Sequence, residues 1–389
     1  MAQKKSTAKS VVYQLHLFLG LTTGILVFLI SITGCIYVFR DELYSWFNRD
    51  IIILNEKQEE PLPIHVLWEK AQQDLGQTCP IDQIICYNDP LRAWELKSHA
   101  HNEKAITYFD WVKHDFIVYI NPYTAEIKGV VNHKYEFFQL VKMLHWSLLL
   151  KTEYGQPIVG WSVFIFAISL ITGLILWWPK KIKNLKQRLA VKWKAKWKRL
   201  NYDLHYVPGF YIYPLGLIAA FTGMVWSFKW FMGIVYFIAN MSLDRPAPQP
   251  KIYSDISEKE TTKHYVFDEI YADLKKRFPD SYSYLLHQWE LGDSTGTVYT
   301  YIKNTEQVYY DGHILKYDRY DASLLQSRSF TDLNTGEKLI TMNYDIHVGQ
   351  VWGLFGKILA FIASLVCASL PVTGFLVWYG RNFKKSSIR

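Results

Sequence analysis

Four uncharged runs, Leu15 to Phe39, Pro157 to Trp178, Tyr206 to Phe228 and Ile358 to Tyr379, restrict this chain more than any other feature. Each holds about 22 to 25 residues, enough for a helix rising 1.5 Å per residue to cross a hydrocarbon layer of roughly 30 Å. Within lipid every backbone polar group needs an internal partner, so such runs fold as helices. The expectation is an α-helical membrane protein with four transmembrane helices. The mean hydropathy is near zero because polar and apolar blocks average out. The first run follows Lys4, Lys5 and Lys9 as a secretory signal would. Its apolar part is too long for one and no small-residue cleavage site follows, so it reads as a retained anchor.

Charge sets the expected orientation. Ten Lys/Arg and no acid lie between Lys180 and Arg199; Lys4, Lys5 and Lys9 precede the first run, and Arg381, Lys384, Lys385 and Arg389 follow the last. These 17 basic residues flank one side of the spans, which the positive-inside rule makes cytoplasmic, with both termini inside. The rest of the chain keeps 26 basic residues against all 35 acids, so the net charge of +8 is a topology signal and requires no nucleic acid. The Lys/Trp alternation from Lys192 to Lys198 reads as an interfacial amphipathic helix on anionic lipid. The large polar segments then face the opposite compartment. Of four cysteines, Cys79 and Cys86 lie in the first outer segment and can pair in an oxidising compartment, while Cys35 and Cys367 lie inside spans. No C-x-x-C-H occurs, so covalent haem attachment is not indicated.

Histidine carries the functional signal. His16, Gly20, Thr33 and Gly34 share one spacing with His205, Gly209, Thr222 and Gly223. In the other two spans Thr172-Gly173 precedes Trp177, and Thr373-Gly374 precedes Trp378, at matching offsets. The chain therefore reads as two copies of a unit made of span, outer domain and span, a 2+2 parallel repeat. The expected boundaries are 1–44 for the first span, 45–138 for the first outer domain, 139–180 for the second span with a pre-helix, 181–200 for a basic linker, 201–240 for the third span, 241–345 for the second outer domain, and 346–389 for the fourth span and tail. Helices are expected over Pro63 to Leu75 and Val266 to Phe278. Hairpins are expected over Ile106 to Val131, turning at Asn121, and over Leu315 to Leu339, turning at Asn334.

A histidine in a membrane span is unfavourable and is a functional hypothesis by default. His16 and His205 sit at matching depth, as do His145 and His347 at the other face, and four of them in a duplicated pattern indicate two bis-histidine haem sites. A single zinc or copper ion is excluded, because His16 and His145 are expected about 25 Å apart on 1.5 Å per residue. The Thr-Gly pairs read as small residues for close helix packing, and the tryptophans at span ends as an aromatic belt. Arg40 and Lys229 flank outer ends and are candidate propionate partners. His65, His99, His101, His114, His133, His264, His287 and His313 read as surface or hairpin residues of the outer segments.

These motifs, His16-x-x-x-Gly20 through Thr33-Gly34, Gly160 through Thr172-Gly173 to Trp177-Trp178-Pro179, His205 through Thr222-Gly223, and His347-Val348-Gly349 through Thr373-Gly374 to Trp378, resemble the PepSY-associated transmembrane helix proteins. Val118 to Thr124 is similar to the PepSY signature, with Asn121 in place of its Asp and Ala125 in place of its Gly. The resemblance implies two periplasmic α/β PepSY-like domains. It also implies an inner-membrane di-haem b-type reductase similar to the FoxB-type ferrisiderophore reductases, with His16 and His205 holding the cytoplasm-proximal haem and His145 and His347 the periplasm-proximal one. The implied partners are a ferric siderophore or other ferric chelate and a cytoplasmic or membrane electron donor. The rival expectations are a metal-ion or siderophore transport component, and a non-redox membrane protein whose PepSY domains bind peptides or sense envelope state.

Overall fold

The computed structural model describes residues 8–56, 60–179, 181–242, 251–255, 265–288 and 295–382; Lys4, Lys5, Lys180, His264, Lys384, Lys385 and Arg389 lie outside them. The chain divides into two compact units, one of Met1–Phe39, Val141–Ile234 and Ile346–Arg389, the other of Arg40–Leu140 and Val235–Asp345.

The first unit holds four helices long and apolar enough to cross a membrane: Ala8–Tyr37, Thr152–Trp177, Trp197–Ser227 and Gly353–Asn382. They are called here the first to fourth spans, and this is a membrane protein. Each span packs on two others, first on second, second on third, third on fourth and fourth on first, which closes a four-membered ring. Its polarity is inverted relative to a soluble bundle. Phe18 and Ile25 point outward at 64% and 78% exposure, whereas Thr33, Ser169 and Thr172 are buried. Without a hydrophobic drive between helices in lipid, small and hydroxylated side chains make the close contacts.

His145 and His347 do not lie on the spans that follow them. They sit near the ends of two short helices, Phe137–Ser147 and Asn343–His347. The first is closed by Leu148 and Leu149, with φ of 56° and 58°, and the second by Gly349 at φ 80°. The sequence leaves two alternatives here, a long helix with Lys151 and Lys357 snorkelling or a short pre-helix closed by Gly155 and Pro157; the short helix forms, but Gly155 lies beyond its end and lets the second span pass the carbonyl of Ser147, which a Cβ there would meet at 1.9 Å.

The basic linker is not the expected amphipathic helix. It forms two short 3₁₀ turns, Ile182–Asn184 and Lys186–Arg188, and the chain becomes α-helical only at Trp197. Like charges four apart, as at Lys192 and Lys196 or Lys194 and Lys198, oppose a helix there.

The second unit is one antiparallel sheet of eight strands: β1 (Gln83–Tyr87), β2 (Trp94–His101), β3 (Val112–Ile120), β4 (Ile127–Asn132), β5 (Ser283–His287), β6 (Val298–Lys303), β7 (Gly312–Tyr317) and β8 (Leu324–Ser329). Their order is β4-β3-β2-β1-β5-β6-β7-β8. The seam is β1 on β5, with Ile84 opposite Leu286 and Ile85 opposite Leu285. Sequence reading gives two outer domains; the two segments form halves of a single sheet with a single core. Helices Ile64–Leu75 and Tyr265–Arg277 cover one face, where Leu67, Trp68, Phe267 and Ile270 pack on Ile84, Cys86, Tyr284 and Leu286. Both helices match expectation to within a residue. The first hairpin turns near Asn121 as expected, but its first strand starts at Val112 and not Ile106, because Tyr108–Trp111 form a short helix. The second turns at 318–323 between β7 and β8, and Asn334 caps helix Thr335–Thr341 instead, in a reciprocal box with Glu337. Cys86 is buried in the core, and Cys79 and Cys86 are both free thiols.

Candidate functional site

All four histidines converge within the spanning unit. The rings of His16 and His205 lie 6.3 Å apart by centroid, inclined at 66°. Those of His145 and His347 lie 6.1 Å apart, inclined at 64°. His16 and His205 lie on the first and third spans, which are diagonal in the ring, and His145 and His347 come from the short helices that precede the second and fourth. Two imidazole nitrogens about 2.0 Å from one metal, with roughly 1 Å more from nitrogen to ring centre, give a centroid separation of about 6 Å. Both pairs are spaced to share one metal between them.

What holds each ring repeats four times. His16 Nδ1 donates to the Ser169 carbonyl and to Thr172 Oγ1, both at 3.1 Å. His205 Nδ1 donates to the Leu370 carbonyl and to Thr373 Oγ1, again both at 3.1 Å. His145 Nδ1 lies 2.8 Å from the Ile30 carbonyl and 3.2 Å from Thr33 Oγ1. His347 Nδ1 reaches Thr222 Oγ1 at 2.7 Å and the Ala219 carbonyl. The carbonyl always belongs to the residue three before the threonine. Each threonine donates its own proton back along its helix, as Thr172 does to Ile168 and Thr222 to Ile218, so its oxygen is left to accept. A carbonyl acceptor requires Nδ1 to carry the proton, and Nε2 is left as the lone-pair nitrogen.

The glycine after each threonine makes room for the ring. A Cβ would meet His145 Cε1 at 3.0 Å from Gly34, His205 Cε1 at 3.0 Å from Gly374, His16 Cε1 at 3.3 Å from Gly173 and His347 Cε1 at 3.8 Å from Gly223. The four Thr-Gly pairs, expected only to pack helices, are thus the seats of the four histidines. The exchange is reciprocal: the first span carries His16 and seats His145, while the second seats His16 and follows His145. The third and fourth spans repeat this with His205 and His347. The sequence signal was present in the recurrence of Thr-Gly in every span.

Around His16 and His205 lies a cavity of about 330 Å³, lined largely by apolar side chains from all four spans and bordered by Gly20, Gly24, Gly173, Gly209 and Gly374. Gly20 has nothing within 4 Å of a built Cβ, so its backbone is open to the cavity. The volume falls in the range of small-molecule and cofactor pockets. A flat macrocycle between two imidazoles needs such glycine-bordered space, and the residues fit one. At the other pair, the Trp226 ring stands 5.3 Å from His347 and 5.9 Å from Trp146. Those two tryptophans, expected as part of an aromatic belt, are side by side at a histidine pair. Arg40 is ion-paired with Asp41 at 2.7 Å and belongs to the sheet unit.

Among the other histidines, His65 pairs with Asp268 at 2.6 Å and His133 with Asp115 at 2.7 Å. His99 pairs with Asp82, whose carboxylate raises its pKa above the ordinary value. Among the described residues no group of three or more His, Cys, Asp or Glu side chains is arranged to hold a metal ion.

Fold and geometry together define a four-span membrane protein with a fused antiparallel sheet unit and two facing histidine pairs. The family model described as the PepSY-associated TM region matches residues 13–381, nearly the whole length, and the chain belongs to that family. No curated protein matches it.

Proposed function

We propose that this protein is a di-haem b-type oxidoreductase of a bacterial inner membrane that passes electrons across the bilayer to a ferric chelate, such as a ferric siderophore, on the periplasmic side. The observation that carries the reading is the pair of separations, 6.3 Å and 6.1 Å, each between rings whose Nδ1 is already committed to a carbonyl. His16 with His205 would hold one haem, and His145 with His347 the other. Each haem, when bound, supplies a one-electron ferric/ferrous couple, and two imidazoles saturate the iron, which favours electron transfer over ligand chemistry at the metal. A bare ion is the poorer occupant, because two nitrogens leave its coordination incomplete and, among the described residues, no group of three or more His, Cys, Asp or Glu is arranged to complete it.

The chain's own residues do the positioning. The threonine and carbonyl acceptors fix each imidazole's tautomer and raise its basicity, and the glycine seats hold it upright between the spans. Within the first span, His16 and the seat of the second pair at Gly34 are eighteen residues apart, about 27 Å along a helix. The two sites would therefore lie toward opposite faces of the membrane. Basic residues crowd the ends nearest His16 and His205, which supports a cytoplasmic position for that pair and for both termini, and a periplasmic one for the sheet unit. The matched spacings of spans and seats, and a strand order symmetric about the β1–β5 seam, support an origin by duplication. Electrons would enter from a cytoplasmic or membrane donor. Reduction releases iron because the hard oxygen donors of a siderophore favour the smaller, more highly charged ferric ion.

The test is a dithionite-reduced minus oxidised spectrum of the purified protein with a pyridine haemochrome count. A sharp reduced α-band and two haems b per chain are expected. A folded, colourless protein overturns the reading and returns the chain to transport or peptide sensing.

A further inference from the structure

Trp177 is 2% exposed, lines the cavity that holds His16 and His205, and has an indole nitrogen that is buried without a hydrogen-bond partner. The Trp177 ring is packed in a stack. Phe210 stacks flat on it with centroids 3.6 Å apart and planes within 8°, and its carbonyl accepts the Tyr206 hydroxyl at 2.8 Å. An indole N–H only donates, so what it lacks is an acceptor, and a buried donor left unsatisfied is unfavourable.

Two further donors lie at the same end of the cavity. Trp177 lies four residues beyond Gly173, the seat of His16; Arg381 lies seven beyond Gly374, the seat of His205; and Tyr13 lies three before His16. All three are therefore one to two helical turns past the histidine pair, toward the same face. Arg381 is the only charged residue lining the cavity among the described residues, and its guanidinium donates to the Tyr13 hydroxyl at 3.4 Å. An indole, a phenol and a guanidinium around one end of a largely apolar slot form a donor set for carboxylates.

We propose that Trp177 Nε1 anchors one propionate carboxylate of the haem held by His16 and His205, with Arg381 and Tyr13 taking the other, so that the acidic edge of the macrocycle points to this end of the bundle. The inference rests on the haem reading above and adds the cofactor's orientation. Trp177→Phe keeps the stack on Phe210 and removes only the N–H. Full-length protein from haem-starved cells is reconstituted with haem or with its dimethyl ester, and loss to a haem scavenger is timed. With haem, the Trp177→Phe protein should release the His16/His205 haem about tenfold faster, the low end of the usual effect of an outer-shell partner. With the ester, whose carboxylates are masked, the substitution should change the rate less than twofold, and the unaltered protein should lose the ester faster than haem.

Equal effects of Trp177→Phe on haem and ester would mean a packing role and overturn the anchor, as would no effect on either. Should the variant not fold, the comparison of haem with ester in the unaltered protein still decides, since equal release of the two overturns the proposal. Absence of haem from the unaltered protein would instead overturn the haem reading itself. Trp178→Phe is the control, its ring 58% exposed and outside the cavity lining.

Discussion

A methyl group separates glycine from alanine, and the four seats differ in how much of it they tolerate. At Gly374 and Gly34 an added Cβ would press on a histidine Cε1 at 3.0 Å, tighter than nearly all real contacts, whereas at Gly223 the distance is an ordinary 3.8 Å. On the haem reading, Gly374→Ala and Gly34→Ala should each tilt one ring and weaken one haem by about 10- to 100-fold, the usual penalty for disturbing a ligand's support. Gly223→Ala should keep both, and a haemochrome count on the three variants checks the contrast. The threonines act on electronics more than on space. Replacing Thr222, whose oxygen is 2.7 Å from His347 Nδ1, by valine removes an acceptor and lowers the basicity of that imidazole. If the pairs hold haems as proposed, the midpoint potential of one should rise and the other stay put in a potentiometric titration. In the sheet unit, Asp82 raises the pKa of His99, so the stabilisation is complete below the unfolded value near 6.5 and disappears as pH climbs through the folded one. Solvent reaches 41% of that side chain, so the effect on stability is small. Asp82→Asn should bring the His99 titration, followed by NMR, down toward 6.5. These seats were only half legible in the sequence. Thr33-Gly34 follows His16 on the same helix, but about 27 Å away, so its offset could not reveal that it serves His145, brought in by a separate helix.

Short helices place the second histidine pair, and the way they end decides whether the rings arrive. Gly349 holds φ 80° two residues after His347, and a Cβ there would stand 2.2 Å from the Gly356 carbonyl oxygen. No L side chain fits both demands. Under the proposed function, Gly349→Ala should therefore remove the His145/His347 haem while leaving the His16/His205 haem in place, and the reduced α-band should fall to about half its amplitude. A full-amplitude band would show that His347 does not need this turn. Lys151 and Lys357 left the alternative of one long helix open in the sequence, because charge alone does not distinguish a snorkelling lysine from a helix break. The break was invisible for a further reason. On the first copy the left-handed positions are filled by Leu148 and Leu149, residues that carry no turn signal. Gly155 and Pro157, which do carry one, lie inside the second span.

Four apolar runs told the number of spans, and matched histidines told which residues to bring together, because both are periodic signals carried by local sequence. The joining of the outer segments was not legible, since β1 and β5 are about 200 residues apart and each reads alone as the first strand of its own domain. Strand partnership across such a distance leaves no local mark. The ring of spans has a consequence that belongs to the whole molecule: each histidine pair takes one ring from each half of the chain, so neither site is complete without both. On the haem reading the two sites then work in series, and order can be tested in right-side-out membrane vesicles that trap dithionite inside with a ferric chelate outside. The unaltered protein should reduce the chelate without admitting it. His16→Ala should leave both remaining steps without an entry point, so the outer haem stays oxidised and the chelate is untouched. His347→Ala should let the His16/His205 haem reduce, visible in its α-band, and still stop chelate reduction, with losses of at least about 100-fold in each case because a one-electron relay has no second route. Chelate reduced equally by both variants would remove the relay, and chelate carried intact into the vesicle would favour transport instead.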